Sequence, residues 1–174
     1  MMGPMDFSTG TTNPETFPTE DLADAAVHAI REYGEELNTY PGNLGHGGLR
    51  SLMVKRELDR EGVAINPERM MLTNGSMQAV TLVAETFCKG RDDIVVMEEY
   101  SYAGTIDAYR SLGIEMVGVP LDDQGMKMDA LANTLARLEK ETRPPRFIYT
   151  LPTYQNPTGT VMSRERRIEL LRLA

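Results

Sequence analysis

The sequence is poor in cysteine, and this scarcity excludes two kinds of architecture. Cys88 is the only cysteine among 174 residues, so the chain can form neither an internal disulfide nor a cysteine metal cluster. The preceding residues, 84–87, are typical of a helix, which predicts a buried and unreactive thiol rather than a nucleophile. We expect no metal site, and a reducing cytoplasm fits these observations.

Long apolar runs and clusters of basic residues are also missing. No apolar stretch approaches the roughly 18 residues that a membrane span needs, and residues 1–7 lack the basic and then apolar order of a secretory signal. The formal net charge is −8, from 26 acidic and 18 basic side chains. The densest basic stretch, Arg164 with Arg166 and Arg167, is interrupted by Glu165 and is interpreted as a solvated helix face. Neither a membrane nor a nucleic acid is therefore expected as a partner.

What the sequence does contain is an alternation of strand-like and helix-like segments. An arm without periodicity runs to residue 18, and helices are predicted over 19–33 and 49–60. Strands are predicted at 70–73, 94–97, 114–119 and 147–151, and further helices at 77–87, 102–112, 128–139 and 163–173. This order predicts an α/β fold, a three-layer sandwich whose mostly parallel sheet has helices on both faces. We divide the chain into residues 1–48, with the arm, first helix and a glycine-rich loop, and residues 49–174, the sheet domain.

Polar segments follow three of the predicted strands. Ser76 opens a helix, where its hydroxyl and free backbone N–H groups could bind a phosphate, although serine is also a common helix cap. Tyr102 could cover a planar ligand or pack in the core. The segment from Asn156 to Gly159 is equally well explained as an ordinary turn. Since parallel strands end at one edge of a sheet, the three segments could converge on one ligand.

Other polar groups are less informative. The glycine-rich segment 40–50 lacks the Gly-Lys-Ser/Thr ending of a phosphate loop and does not follow a strand. His46 and His28 are interpreted as capping or surface residues. Glu98 and Glu99 are adjacent in a strand and therefore point to opposite faces, so a shared carboxylate site is not expected.

Three motifs, in their order and spacing, resemble those of the class I and II aminotransferases, which are pyridoxal-phosphate enzymes of fold type I. Asn156 to Gly159 matches the family's Asn-Pro-Thr-Gly, and Glu98 to Tyr102 is similar to its Glu-x-Pro-Thr-Tyr. The third motif is Tyr40 with Gly45, Leu49 and Arg50. The resemblance covers almost the whole chain and is strongest to the branch that acts on 2-aminoadipate and kynurenine.

The resemblance implies a pyridoxal 5'-phosphate cofactor and assigns residues to it. Ser76, with the backbone N–H groups of Gly75 and Met77, would hold the cofactor phosphate. Tyr102 would stack on the pyridine ring, and Asn156 would hydrogen-bond the phenolic oxygen of that ring. These roles make the three strand-end segments the walls of one pocket.

Residues of the first part of the chain also receive roles from the resemblance. Tyr40 would reach the phosphate of the neighbouring subunit in a homodimer, and Gly10 would lie against the substrate. The chain departs from the branch at three positions: Met77 replaces a glutamine, and Tyr100 and Thr12 each replace a proline. The substrates implied by the family are an amino acid and a 2-oxo acid.

The family's Schiff-base lysine lies well after Asn-Pro-Thr-Gly, and this chain ends at Ala174 inside a predicted helix. We interpret the lysines that are present as solvated; they are Lys55, Lys89, Lys127 and Lys140. No catalytic residue is therefore expected here, and the sequence is interpreted as an N-terminal fragment of an aminotransferase that is inactive alone. Two alternatives are another fold type I enzyme, such as a carbon–sulfur lyase or decarboxylase, and a non-catalytic remnant or regulator half.

Overall fold

The computed structural model describes residue 10 and residues 13–174, and it divides into two compact units. The first unit is Met1–Leu72 and the second is Thr73–Ala174. The division predicted from the sequence, after residue 48, stays a prediction. No helix in the described part of the chain combines the length and the apolar character needed to cross a membrane.

In its described residues, 10 and 13–72, the first unit contains two α-helices, α1 (Thr19–Tyr33) and α2 (Gly47–Glu61), as predicted. His46 caps α2, since its Nδ1 accepts the Leu49 N–H at 3.2 Å, which confirms its interpretation as a capping residue. The strand predicted at 70–73 is wrong. Those residues follow a short 3₁₀ turn and form no strand; the Leu72 N–H makes a single bond to the Leu44 carbonyl, at 3.0 Å, rather than joining a ladder.

The second unit alternates strands with helices in the predicted order. Its elements are α3 (Gly75–Phe87), β1 (Ile94–Glu98), α4 (Ala103–Ser111), β2 (Glu115–Val119), β3 (Leu121–Asp122), β4 (Gly125–Met126), α5 (Met128–Lys140), β5 (Phe147–Tyr149) and α6 (Arg164–Leu173). The antiparallel hairpin of β3 and β4 was not predicted, because strands of two residues are too short to show a period.

The central sheet has three parallel strands in the order β2-β1-β5. Alternate residues of β1 face opposite sides, as the pleat requires. Val95 and Met97 pack with Ala84 of α3 and Tyr109 of α4. Val96, on the other face, packs with α5 and with the partly buried residues of α6. Helices thus cover both faces, and the predicted three-layer α/β sandwich is confirmed.

Strand β1 is the centre of this unit because it is paired on both sides and buried along its whole length. At its amino end, the Asp93 carboxylate binds the Arg146 guanidinium, and the Arg146 N–H donates to the Ile94 carbonyl at 2.8 Å. The Lys89 backbone N–H and then Arg146 lower the pKa of Asp93. This pair joins the residues that immediately precede β1 and β5, in line with the parallel register of the two strands.

Candidate functional site

Three polar segments lie toward the carboxyl edge of the parallel sheet. Strands β1 and β5 are neighbours that run in the same direction, so the chain leaves both at the same edge. Helix α3 runs the opposite way, since its last residue, Phe87, packs edge-on against Phe147, the first residue of β5, with 6.4 Å between ring centroids. Its first turn, with Ser76, is therefore directed toward the edge where β5 ends.

The first turn of α3 carries free donors. The Asn74 side chain does not cap it, the Gln78 Oε1 accepts only the Asn74 N–H, at 2.6 Å, and Gly75 opens the helix with a φ of 73°, which glycine adopts readily. The Gly75 N–H donates to the Thr73 carbonyl at 2.9 Å, so this donor is engaged within the chain. The N–H groups of Ser76 and Met77 have no partner inside the helix. With the exposed Ser76 hydroxyl, they form a donor set that suits a phosphate.

Tyr102 stands at the N-cap position of α4, and its side chain is 41% exposed. The ring folds over the first turn of the helix: a Cβ at Gly104 would lie 2.5 Å from the Tyr102 Cε1. The Tyr102 ring can take this position because Gly104 has no Cβ. The exposure of Tyr102 argues against a core side chain, and its role as a ligand-covering ring stays a prediction.

The turn from Asn156 to Gly159 is organised by Gln155. Its backbone N–H donates to the Thr160 carbonyl at 2.9 Å, and its carbonyl accepts the Gly159 N–H at 2.5 Å. Its side-chain Oε1 accepts both the N–H and the hydroxyl of Thr158, at 2.9 and 2.6 Å. Gln155 is 1% exposed, whereas Asn156 is exposed. The turn therefore has a buried base and presents the Asn156 amide outward.

A buried carboxylate supports the start of the same loop. Glu98, the last residue of β1, is 2% exposed and accepts the Thr150 hydroxyl at 2.6 Å and the Leu151 N–H at 3.1 Å. Its Oε2 also lies 3.5 Å from the Gln155 Nε2. Glu99 is exposed, so the two glutamates share no site, as predicted. The supporting roles of Glu98 and Gln155 were not predicted from the sequence, although a carboxylate ending the apolar strand Ile94–Glu98 was a usable signal.

Two arginines of α6 hold loops in place, and the interpretation of this helix face as solvated is wrong for them. Arg167 donates to the Pro152 carbonyl at 2.7 Å and to the Thr153 hydroxyl at 2.9 Å. Arg166 binds both carboxylate oxygens of Asp122 and lowers the pKa of that carboxyl to about 2. The physical reason is that α6 begins beside loops whose carbonyl and carboxylate oxygens need donors.

The remaining predicted residues do not join this edge within the second unit. Tyr40 and Gly10 belong to the first unit, and both are exposed; Tyr40 is 99% exposed. Their roles stay predictions. Of the lysines, Lys127 is partly buried before α5, which differs from the expectation of a solvated side chain; the others, Lys55, Lys89 and Lys140, are exposed.

Comparison with known proteins gives relatives with named activities. An aromatic-amino-acid aminotransferase of Thermococcus litoralis is 34% identical over 95% of this chain and 39% of its own length. A 2-aminoadipate transaminase of Thermus thermophilus is 35% identical over 98% of this chain and 40% of its own length. The solved structure of a kynurenine aminotransferase from Pyrococcus horikoshii superposes with a TM-score of 0.87, at 35% identity, over 95% of this chain and 41% of that chain.

The sequence is also similar to that of a transcriptional regulator. An uncharacterized HTH-type transcriptional regulator of Bacillus subtilis, YcxD, is 30% identical over 99% of this chain and 37% of its own length. The chain thus spans about 40% of the length of the curated aminotransferases that it matches. The sequence profile of the family described as aminotransferase class I and II matches residues 4–174. This chain therefore belongs to the class I and II aminotransferase family.

Proposed function

We propose that this chain forms part of the cofactor site of a pyridoxal-phosphate-dependent aminotransferase. One observation carries the proposal: the Gln155 Nε2 donates to the Tyr100 carbonyl at 2.6 Å. This bond joins the loop of Asn156 to the loop of Tyr102. The uncapped first turn of α3 is directed toward the same edge of the sheet.

The donor set of these residues fits the cofactor. The N–H groups of Ser76 and Met77, with the Ser76 hydroxyl, are directed donors at the positive end of a helix and suit a phosphate dianion. Tyr102 offers a half-exposed ring for stacking on a pyridine. Asn156 offers an amide donor to a phenolic oxygen. When bound, pyridoxal phosphate would supply an electron sink for amino-group transfer, and these residues would bind and orient it.

The substrates that we propose are an amino acid and a 2-oxo acid, and the similar proteins support this class through their names. We also propose that the complete protein is a cytoplasmic homodimer, in which Tyr40 reaches the phosphate of the neighbouring subunit and Gly10 lies against the substrate. The chain by itself is proposed to bind the cofactor without transaminating. In support, its lysines lie in α2, after α3 and at the two ends of α5, outside the Tyr102 and Asn156 loops.

Binding of pyridoxamine phosphate to the 174-residue chain tests the proposal, since this form of the cofactor needs no covalent bond to lysine. Equilibrium dialysis should give a Kd well below that of inorganic phosphate. Ser76→Ala should raise the Kd for both ligands, because the hydroxyl donor is lost. Pyridoxamine phosphate binding no more tightly than phosphate would overturn the cofactor site. Turnover of glutamate and a 2-oxo acid by the chain alone would overturn the proposal that the chain does not transaminate by itself.

The similarity to the transcriptional regulator supports a second candidate, a cofactor-binding regulator half. The same pocket would then sense pyridoxal phosphate instead of using it for turnover. The two functions differ in what surrounds this segment in the gene. A DNA-binding domain encoded upstream would favour the regulator, whereas its absence and a Schiff-base lysine encoded downstream would favour the enzyme.

A further inference from the structure

We propose that Gln155 is a positioning residue that holds the two ring-binding walls of the pocket, Tyr102 and Asn156, at a fixed spacing. This inference rests on the proposed function and adds a residue to it. Gln155 makes no contact with the cofactor in this proposal, because its side chain is 1% exposed. It acts through the two loops that it joins.

The Gln155 amide uses its whole hydrogen-bonding capacity to join these loops. Its oxygen accepts two bonds from Thr158, at 2.9 and 2.6 Å. Its nitrogen donates to the Tyr100 carbonyl at 2.6 Å and lies 3.5 Å from the Glu98 Oε2. An amide has two acceptor and two donor positions, so all four are engaged.

Only one orientation of this amide satisfies its neighbours. A flipped amide would set its nitrogen against the Thr158 N–H and its oxygen against the Tyr100 carbonyl. Glutamate cannot supply the donor to Tyr100, and its charge would lie beside the buried Glu98 carboxylate. Since like charges in a buried site are costly, glutamine is the residue that this position requires.

The two ends of this link lie next to the proposed cofactor contacts. Tyr100 is two residues before Tyr102, and Gln155 immediately precedes Asn156. A change at Gln155 should therefore shift the ring stack and the amide donor relative to each other. It should leave the phosphate donors at the start of α3 in place, because Ser76 makes none of these bonds.

Two variants of the 174-residue chain test this role. Gln155→Glu keeps an acceptor for Thr158 but removes the donor to Tyr100, and Gln155→Met removes both without adding charge. The Kd is measured for pyridoxamine phosphate and, separately, for inorganic phosphate, and thermal unfolding checks that each variant folds. Gln124→Glu is the matched control, since it adds the same charge at an exposed position.

We expect both Gln155 variants to raise the Kd for pyridoxamine phosphate about tenfold, and the Kd for phosphate less than about twofold. Gln124→Glu should change neither. An unchanged Kd for pyridoxamine phosphate in both variants would overturn the positioning role. A parallel rise for both ligands would overturn it too, because it would indicate a general loss of structure. Failure of the proposed function is distinguishable, since it would appear in the unaltered chain as equal binding of the two ligands.

Discussion

The Arg166 guanidinium binds both carboxylate oxygens of Asp122, at 2.6 and 2.7 Å, and so ties helix α6 to the hairpin of β3 and β4. The same Arg166 Nη1 donates to the Gly125 carbonyl at 3.2 Å. Charge-assisted bidentate bonds of this kind are among the stronger hydrogen bonds in proteins. The first residues of α6, which include Arg167, are thereby fixed next to the loop that leads to Asn156.

This pair predicts a loss of stability in acid. Arg166 holds the pKa of Asp122 at about 2, below its ordinary value of 3.8. The contribution of this pair to the free energy of unfolding is therefore complete above about pH 5, and it is lost as the pH falls through 4 toward 2. Asp122→Asn should lower the free energy of unfolding at pH 7 by about 1 kcal/mol, a value that allows for partial exposure of the pair. Urea unfolding of both proteins at several pH values measures the difference, which should shrink below pH 4.

A second ion pair provides the control for this experiment. Asp107 and Arg110 lie three residues apart on α4, and their side chains are about 70% exposed. Because solvent screens such a pair, Asp107→Asn should change stability by less than about 0.5 kcal/mol at any pH. Equal effects of the two substitutions would contradict the special role of Asp122.

The thiol of Cys88 should react slowly in the folded chain. Its burial, followed by the nearby Asp93 carboxylate, raises the pKa of Cys88, and the thiolate is the reactive form. At pH 8, a thiol reagent should label it far more slowly than it labels the same chain in denaturing urea. The colour released by the reagent measures the labelling rate in each condition. Labelling at the same rate in the folded and the denatured chain would contradict a buried thiol.

Periodicity in the sequence was sufficient to predict most elements of the second unit, but not where they end. The sequence pattern predicts a strand over 147–151, whereas β5 ends at Tyr149. The reason is that the next polar groups, the Thr150 hydroxyl and the Leu151 N–H, turn to the Glu98 carboxylate and not to a neighbouring strand. A long-range acceptor of this kind leaves no trace in the local pattern.

The candidate site was predictable where its residues follow strands, as Tyr102 after β1 and Asn156 after β5 do; Ser76 was placed by its position at the start of a helix, since the strand predicted before it is absent. The buried residues that hold the site in place were not predictable. Gln155 and Arg167 resemble ordinary polar residues of a turn and a helix, and only burial and partners reveal that they join loops. The proposed cofactor contacts, Tyr102 and Asn156, are recognised by family motifs, whereas buried polar contacts depend on the three-dimensional arrangement of the loops.

Gly104→Ala should separate ligand binding from stability. The new Cβ would lie 2.5 Å from the Tyr102 Cε1, so the ring must leave its place over α4. Alanine is preferred to glycine in helices by up to about 1 kcal/mol, so the chain should unfold at the same or a slightly higher urea concentration. The Kd for pyridoxamine phosphate should rise severalfold. Gly47→Ala is the control, because Gly47 is also in a first helical turn and nothing lies within 4 Å of its Cβ.

Arg167→Met should loosen the loop that leads from β5 to Asn156. The substitution roughly keeps the length of the side chain but removes its bonds to the Pro152 and Met162 carbonyls and to the Thr153 hydroxyl. Each lost bond to a charged donor costs about 1 kcal/mol or more, so the free energy of unfolding should fall by about 2 to 3 kcal/mol, and backbone amides of residues 153–156 should exchange faster with deuterium. Arg164→Met, on an exposed position of the same helix, should change neither quantity. If Arg167 holds the loop, these amides should exchange faster in Arg167→Met than in Arg164→Met. Equal exchange in the two variants would contradict this role of Arg167.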